Sequence, residues 1–176
     1  MIRKVVVIGP ESTGKSTLCE QLAAHYQTAW VKEFAREYLL THGSKYAYAD
    51  LGKIAEGQLH LEDEICKAAI RNQQSALMFI DTDMYVMKVW CEWVFGACHS
   101  YILNQIVERK YDLYLLCKPD FPWTPDPLRE NPFERDQLFD LYLQLLRGIG
   151  ANYVIVEKSP SHRLETALAA IENISR

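Results

Sequence analysis

Paired cysteines, long apolar runs, internal repeats and a surplus of positive charge are all missing from this 176-residue sequence. The five cysteines (Cys19, Cys66, Cys91, Cys98 and Cys117) are odd in number and contain no Cys-x-x-Cys pair. A disulfide framework is therefore excluded, and they read as small apolar core residues of a reducing, cytoplasmic compartment. The spacing of Cys91, Cys98 and His99 fits no common zinc pattern. No apolar stretch approaches the roughly 18 residues that span a bilayer. The amino-terminal run ending at Gly9 is too short for a signal-peptide core and lacks a small-residue cleavage site, so no membrane partner is expected. With 19 basic against 23 acidic residues the net charge is -4, which argues against nucleic acid as a partner. Without repeats or low-complexity linkers, residues 1–176 read as a single domain of unstated oligomeric state.

Five short apolar runs stand out: Lys4–Ile8, Thr28–Val31, Ala76–Ile80, Asp112–Cys117 and Tyr153–Val156. Each is nearly continuous rather than alternating, the pattern of strands covered on both faces. Between them lie segments with helical spacing. Leu51, Ile54, Leu61, Ile65 and Ala68 form one stripe; Leu138, Leu141, Leu145 and Leu146 another; Leu164, Leu168 and Ile171 a third. Asn131-Pro132-Phe133-Glu134 and Ser159-Pro160 carry the signature of helix N-termini. Alternation of strand and helix predicts an α/β fold, a three-layer sandwich around a five-stranded parallel sheet. Five of the seven prolines fall between Lys118 and Pro132, so residues 118–133 are expected to be an irregular, functional loop.

The first strand runs into Gly9-Pro10-Glu11-Ser12-Thr13-Gly14-Lys15-Ser16, a complete G-x-x-x-x-G-K-[ST] motif, and Thr17 continues it as a helix. Gly9 and Gly14 let the backbone wrap closely around phosphate oxygens. The loop N–H groups and the helix N-terminus face the anion. Lys15 reaches the β- and γ-phosphates of a nucleoside triphosphate, and the Ser16 hydroxyl can join the shell of a Mg²⁺ ion. Glu11 is unusual, because a carboxylate beside a triphosphate needs a cation or must point away.

The chemistry also needs carboxylates. Asp81 ends the third apolar run, where Mg²⁺ and its waters lie beside a phosphate loop. Asp83 reads as a substrate contact or a helix N-cap. Glu33 and Arg36 follow the second run, at the sheet edge where ligands of open α/β sheets bind. Glu33, Asp81 and Asp83 are all candidates for the base that takes a proton from an acceptor hydroxyl. The proline-rich loop reads as a lid that excludes water and brings Arg129 and Arg135 to the transferring phosphoryl group. Trp90 and Trp123 are candidates for stacking on an acceptor ring. Gln58, a polar interruption of a helical stripe, needs a partner, either within the protein or on the substrate. Arg163, after the last strand, is placed on the adenine side of the nucleotide.

A GTPase-like switch or nucleotide-gated module is the reading from another class. Lys118-Pro119-Asp120 imitates a guanine-reading turn, but Cys117 stands where asparagine is needed, and Asp81-Thr82-Asp83-Met84 lacks the glycine that senses a γ-phosphate.

The ordered set of Gly9 to Thr17, Glu33-Phe34-Ala35-Arg36-Glu37-Tyr38, Asp81-Thr82-Asp83 and Asp120-Phe121-Pro122-Trp123 with Asp126 and Arg129 resembles the ribosylnicotinamide kinase domain of the bifunctional bacterial NAD biosynthesis regulators. The resemblance covers most of the chain and implies a P-loop nucleoside/nucleotide-kinase-like fold. It implies transfer of the γ-phosphoryl of ATP, with Mg²⁺, to the 5′-hydroxyl of a small-molecule nucleoside: nicotinamide riboside, or another nucleoside. Glu33, Arg36, Gln58, Asp83, Trp90, Trp123 and Asp126 are the expected substrate contacts. In that family the domain is fused to an adenylyltransferase; this sequence begins at the first kinase strand, and a stand-alone kinase or a broader relative is expected.

Overall fold

The computed structural model describes residues 2–72 and 76–175. Strand β1 (Arg3–Ile8) leads through the glycine loop into α1 (Lys15–Tyr26). There follow β2 (Trp30–Val31), α2 (Phe34–His42), α3 (Tyr48–Arg71), β3 (Leu77–Asp81), α4 (Met84–Phe95) and α5 (Ser100–Glu108). Strand β4 (Leu113–Cys117), α6 (Arg135–Gly148), β5 (Tyr153–Val156) and α7 (Pro160–Ser175) complete the chain. The five strands form one parallel sheet in the order β2-β3-β1-β4-β5. The fold is the α/β arrangement expected from the alternation of apolar runs and helical stripes.

Successive strand residues point to opposite faces, and two cores result. Val5 and Val7 of β1 pack with Leu18 and Leu22 of α1, Phe79 of β3, Leu115 of β4 and Ile171 of α7. Val6 and Ile8 pack on the other face with Ile80, Tyr85 and Val89, and with Leu138, Tyr142 and Leu146 of α6. A third cluster, including Leu39, Leu51, Ile54, Met87 and Ile102, joins α2, α3, α4 and α5. The sequence order reverses at β1, which lies between β3 and β4. That reversal opens a crevice at the carboxyl ends of the strands, above the glycine loop.

Three local expectations change. Strand β2 is only two residues long. Thr28 does not join it, because its N–H caps α1 by donating to Ala23 O and its hydroxyl donates to Leu77 O at 2.7 Å. Asn131 does not cap α6, which starts at Arg135; its N–H and its side chain are held by other parts of the fold. Leu141 is exposed, and Phe139 and Tyr142 take the buried face of α6. Ser159 does cap α7, its Oγ accepting the His162 N–H at 3.3 Å.

Buried cysteines Cys19, Cys91 and Cys117 sit in these cores, and all five thiols are free. No helix among the described residues is long and apolar enough to cross a membrane.

Candidate active site

The glycine loop turns on left-handed backbone at Ser12 and Gly14, with Gly9 also at positive φ. A Cβ on Gly9 would come within 2.6 Å of the Cys117 carbonyl oxygen on β4, so the close approach of loop to strand requires glycine there. The loop is braced from inside. Thr13 Oγ1 donates to Pro10 O at 2.8 Å, and Lys15 Nζ donates to the same carbonyl at 3.0 Å. The buried Arg163 donates to Thr13 O at 2.7 Å, to Lys118 O at 2.7 Å and to the Asp120 carboxylate. Its guanidinium also lies 4.0 Å over the Phe121 ring. Arg163 thus ties the loop, the end of β4 and the start of the proline-rich segment together.

Parallel register sets Asp81 beside Val7, one residue before the end of β1. Ser16 Oγ, in the first turn of α1, donates to Asp81 Oδ2 at 2.5 Å. Asp81 is fully buried, and among the described residues its Oδ1 has no hydrogen-bond partner. Burial, and then the charge of Glu33, push its carboxyl up to about 6, against the opposing pull of Lys15, Ser16 and Arg36. A hydroxyl and a buried, orphaned carboxylate oxygen beside a phosphate-binding loop are donors suited to a hard divalent cation such as Mg²⁺.

Glu33 is the N-cap residue of α2, yet its carboxylate makes no capping bond. Its position is fixed by a residue one helix away. Gln58, buried on α3, accepts the Phe34 N–H at 2.7 Å and donates to Lys32 O and Asp81 O, each at 3.3 Å. Gln58 is therefore placed differently from a substrate ligand: its amide is used internally, and it holds the Glu33 turn against the end of β3. Packing here is tight. A Cβ on Gly57 would meet the Phe34 ring at 2.1 Å. Gly57→Ala is expected to lower stability by about 1–3 kcal/mol through overpacking, despite the better helix propensity of alanine. Displacement of Phe34 should also shift the Glu33 turn; thermal melting checks the loss of stability.

Asp83 is buried and caps α4, its Oδ1 accepting the Tyr85 N–H at 3.0 Å and the Val86 N–H at 3.2 Å. Burial pushes its carboxyl up to about 7, the Glu62 charge adding to the rise and the Val86 and Tyr85 N–H groups opposing it. A folded value raised above the unfolded one gives a contribution that is full below roughly pH 4 and is lost as pH rises through about 7. Asp83→Asn keeps the capping oxygen and cannot ionise. In metal-free buffer Asp83→Asn should gain on the wild type as the pH rises from about 4 to about 7, and the difference should level off above that. Melting temperatures of the pair across that range test this; a constant difference would contradict it.

Two cavities meet at the glycine loop. The first, about 240 Å³, is lined by the loop from Gly9 to Thr17 and by Glu33, Arg36, Tyr46, Trp90, Trp93, Arg129 and Tyr142, among others. The second, about 480 Å³, lies on the other side of the loop between Gln21, Phe121, Pro122, Thr124, Pro160 and Arg163. Ser12, Gly14, Thr17 and Arg129 border both. Of the residues the sequence singles out, the fold brings Lys15, Ser16, Glu33, Arg36, Trp90 and Arg129 onto the first cavity and Arg163 onto the second. Asp81, Asp83, Gln58, Trp123, Asp126 and Arg135 line neither, Asp81 meeting the first only through Ser16. Asp126 instead pairs with Arg36 at 2.9 Å, and Arg135 donates to Phe121 O at 2.9 Å with its guanidinium over the Trp123 ring.

Some lining residues carry no sequence signal. Tyr46 lies in a short connection without periodicity, and Tyr142 reads as one more core aromatic of α6. The segment 118–134 has no regular secondary structure and packs on the loop. Thr124 N–H donates to Ser12 Oγ at 3.0 Å, and Glu11 Oε2 accepts the N–H groups of Glu130 and Asn131, both at 3.0 Å. Glu11 therefore points at the proline-rich segment and not at the centre of the loop.

A family profile described as an AAA domain matches residues 4–163. The trifunctional NAD biosynthesis/regulator protein NadR of Escherichia coli is 32% identical over 163 residues, which is 89% of this chain and 38% of that protein. The chain thus spans well under half of that relative. Crystal structures of NadR in complex with NR, and with NAD and AMP-PNP, superpose with a TM-score of 0.79 at 22% identity, covering 98% of this chain and about half of theirs. A deoxyadenosine kinase from M. mycoides superposes with a TM-score of 0.66 at 12% identity, over 97% of this chain and 99% of its own. The fold is that of the P-loop nucleoside kinases.

Proposed function

The chain belongs to the AAA-domain family, homologous to the kinase domain of NadR, and from that membership we propose that it is an ATP-dependent kinase acting on the 5′-hydroxyl of nicotinamide riboside. The observation that carries the reading is the pair of cavities meeting at one phosphate loop, with Glu33 on the aromatic side. Such an arrangement suits a donor nucleotide and an acceptor approaching a shared phosphoryl group from opposite directions.

The second cavity takes the nucleoside part of ATP, against Phe121, Pro122 and Arg163. The loop N–H groups and Lys15 hold the β- and γ-phosphates. Ser16 and Asp81 would hold Mg²⁺, which when bound neutralises charge on the phosphate oxygens. In the first cavity Trp90, Trp93, Tyr46 and Tyr142 offer ring faces and Glu33 a negative charge, which together suit a pyridinium cation. Glu33 is assigned as the base. Asp81 is bonded to Ser16, and Asp83 is occupied as a helix cap away from the cavity. Glu33 orients the acceptor hydroxyl and takes its proton as the oxygen attacks the γ-phosphorus. Arg129 borders both cavities and stabilises charge on the group in transit. Arg36 is held at the acceptor side by Asp126. Positioning and electrostatics, not covalent chemistry, supply the acceleration.

The test is to incubate the protein with Mg-ATP and a panel of nucleosides while following ADP and the phosphorylated product. ADP release that depends on nicotinamide riboside is expected. Release with a different nucleoside alone would move the acceptor assignment. Slow turnover indifferent to any acceptor, or a preference for GTP, would overturn the kinase reading in favour of a nucleotide-gated module.

A further inference from the structure

The dipeptide Glu130–Asn131 is held from two sides at once. Both of its backbone N–H groups donate to Glu11 Oε2 in the phosphate loop. Both of its side chains reach the aromatic wall of the first cavity. Trp90 Nε1 donates to Tyr46 Oη at 2.8 Å, and Tyr46 Oη donates to Glu130 Oε2 at 2.6 Å. Trp93 Nε1 donates to Asn131 Oδ1 at 3.1 Å. Burial and the Glu130 carboxylate raise the Tyr46 hydroxyl well above its ordinary value, so it stays protonated and keeps donating. One turn of the proline-rich segment thus bridges the loop that binds phosphate and the helix that faces the acceptor.

We propose that Glu11 is a positioning residue that latches the lid at Glu130–Asn131, coupling closure over the acceptor cavity to the phosphate loop and keeping water from replacing the acceptor. The proposal rests on the kinase reading. It accounts for a carboxylate in a loop built for anions: its charge is directed away and accepts two N–H donors, a charge-assisted arrangement stronger than a neutral one. It also gives the tryptophans a second role, since a ring seated against Trp90 and Trp93 bears on the residues that hold the lid.

If the latch opens, water takes the place of the acceptor. Its oxygen bonds to the γ-phosphorus, the bond from phosphorus to the β–γ bridging oxygen breaks, ADP leaves with that oxygen, and the water's proton passes to solvent with inorganic phosphate as the other product. The readout is therefore the ratio of ADP released to nucleoside phosphorylated, which a merely structural role of Glu11 would not move.

The experiment compares wild type, Glu11→Ala, Glu11→Gln and Tyr46→Phe in Mg-ATP with nicotinamide riboside, counting ADP and phosphorylated nucleoside separately. Glu11→Ala is expected to raise the share of ADP released without transfer about tenfold and to raise the acceptor KM. Glu11→Gln keeps an oxygen for both N–H donors and should restore most of the coupling. Tyr46→Phe cuts the Glu130 attachment to the aromatic wall, leaving that of Asn131 to Trp93, and should shift the ratio the same way, which keeps the test available if Glu11→Ala does not fold. An unchanged ratio in Glu11→Ala, or Glu11→Gln as uncoupled as Glu11→Ala, would overturn the latch. A wild type that phosphorylates no nucleoside would defeat the kinase reading, and the latch with it; transfer by wild type with an unmoved ratio in the variants defeats the latch alone.

Discussion

Lys15→Ala is expected to lower phosphoryl transfer by about a thousandfold, or about 4 kcal/mol of transition-state stabilisation. The ammonium lies at the start of α1, inside the turn of the loop, and its hydrogen bond in the structure is to Pro10 O at 3.0 Å. Among the described residues no other lysine lines either cavity, and the arginines that do, Arg36, Arg129 and Arg163, are bonded to Asp126, to Thr124 O and to Thr13 O, outside the turn that holds the ammonium. Stability should barely change. Lys15 is half-buried, and the loop keeps its bracing from Thr13 to Pro10 O and from Arg163 to Thr13 O. Lys15→Arg is not a rescue, because a broad planar guanidinium does not fit a turn shaped around a point charge. Steady-state kinetics with thermal melting separate the two effects. Transfer at the wild-type rate in Lys15→Ala would remove the loop from the mechanism.

Glu62→Ala is expected to be the most damaging change to the fold, costing about 3–5 kcal/mol. Glu62 is fully buried on α3 and gathers three partners. Its Oε1 accepts from Lys4 Nζ at 2.7 Å and from Arg109 Nη1 at 3.2 Å, and its Oε2 accepts the Tyr111 hydroxyl at 2.9 Å. Truncation leaves two cations and a phenol without their shared acceptor, the costly way to break a buried pair. Arg109 retains Asp63 at 2.8 Å, which limits the loss. For a chain of this size the melting temperature should fall by about 10 °C. Glu62→Gln keeps an acceptor of the same shape and should fall by much less. The cluster sits at the amino end of β1, away from the phosphate loop at its carboxyl end. Kinetic constants measured well below the melting point should therefore stay close to wild type. A small loss of stability in Glu62→Ala would mean that the three partners find water instead.

The two predictions differ in how visible their residues are in the sequence. Lys15 is announced by a motif whose glycines, lysine and hydroxyl are each demanded by close contact with phosphate. Glu62 lies on the buried face of α3, four residues after Gln58, but its neighbours Asp63 and Glu64 make it read as part of a solvated acidic run. Its burial arises because Lys4 and Arg109, far away in the chain, converge on the same helix face. Gln58 is the intermediate case. As a polar break in an apolar stripe it demands a partner, but only the packing of α3 against the β2–α2 turn supplies Phe34, Lys32 and Asp81 in place of a substrate.

The same division runs through the site. Asn131 reads locally as a helix cap, yet Glu11 takes its N–H and Trp93 its side chain, so α6 begins four residues later. In sequence Asp81 reads as the Mg²⁺ partner, while Asp83 stays open between a substrate contact and a helix cap. Strand alternation and the onset of α4 separate them into a group beside Ser16 and a helix cap.

By itself the sequence determined the parallel α/β sheet and the glycine loop between β1 and α1, because apolar periodicity and the G-x-x-x-x-G-K-[ST] spacing are written over a few neighbouring positions. The tertiary structure alone decided that Glu33 faces an aromatic cavity, that Glu11 holds the proline-rich segment and that Glu62 is buried among cations. Each of those depends on groups from distant segments meeting at one point, and no local spacing encodes the meeting.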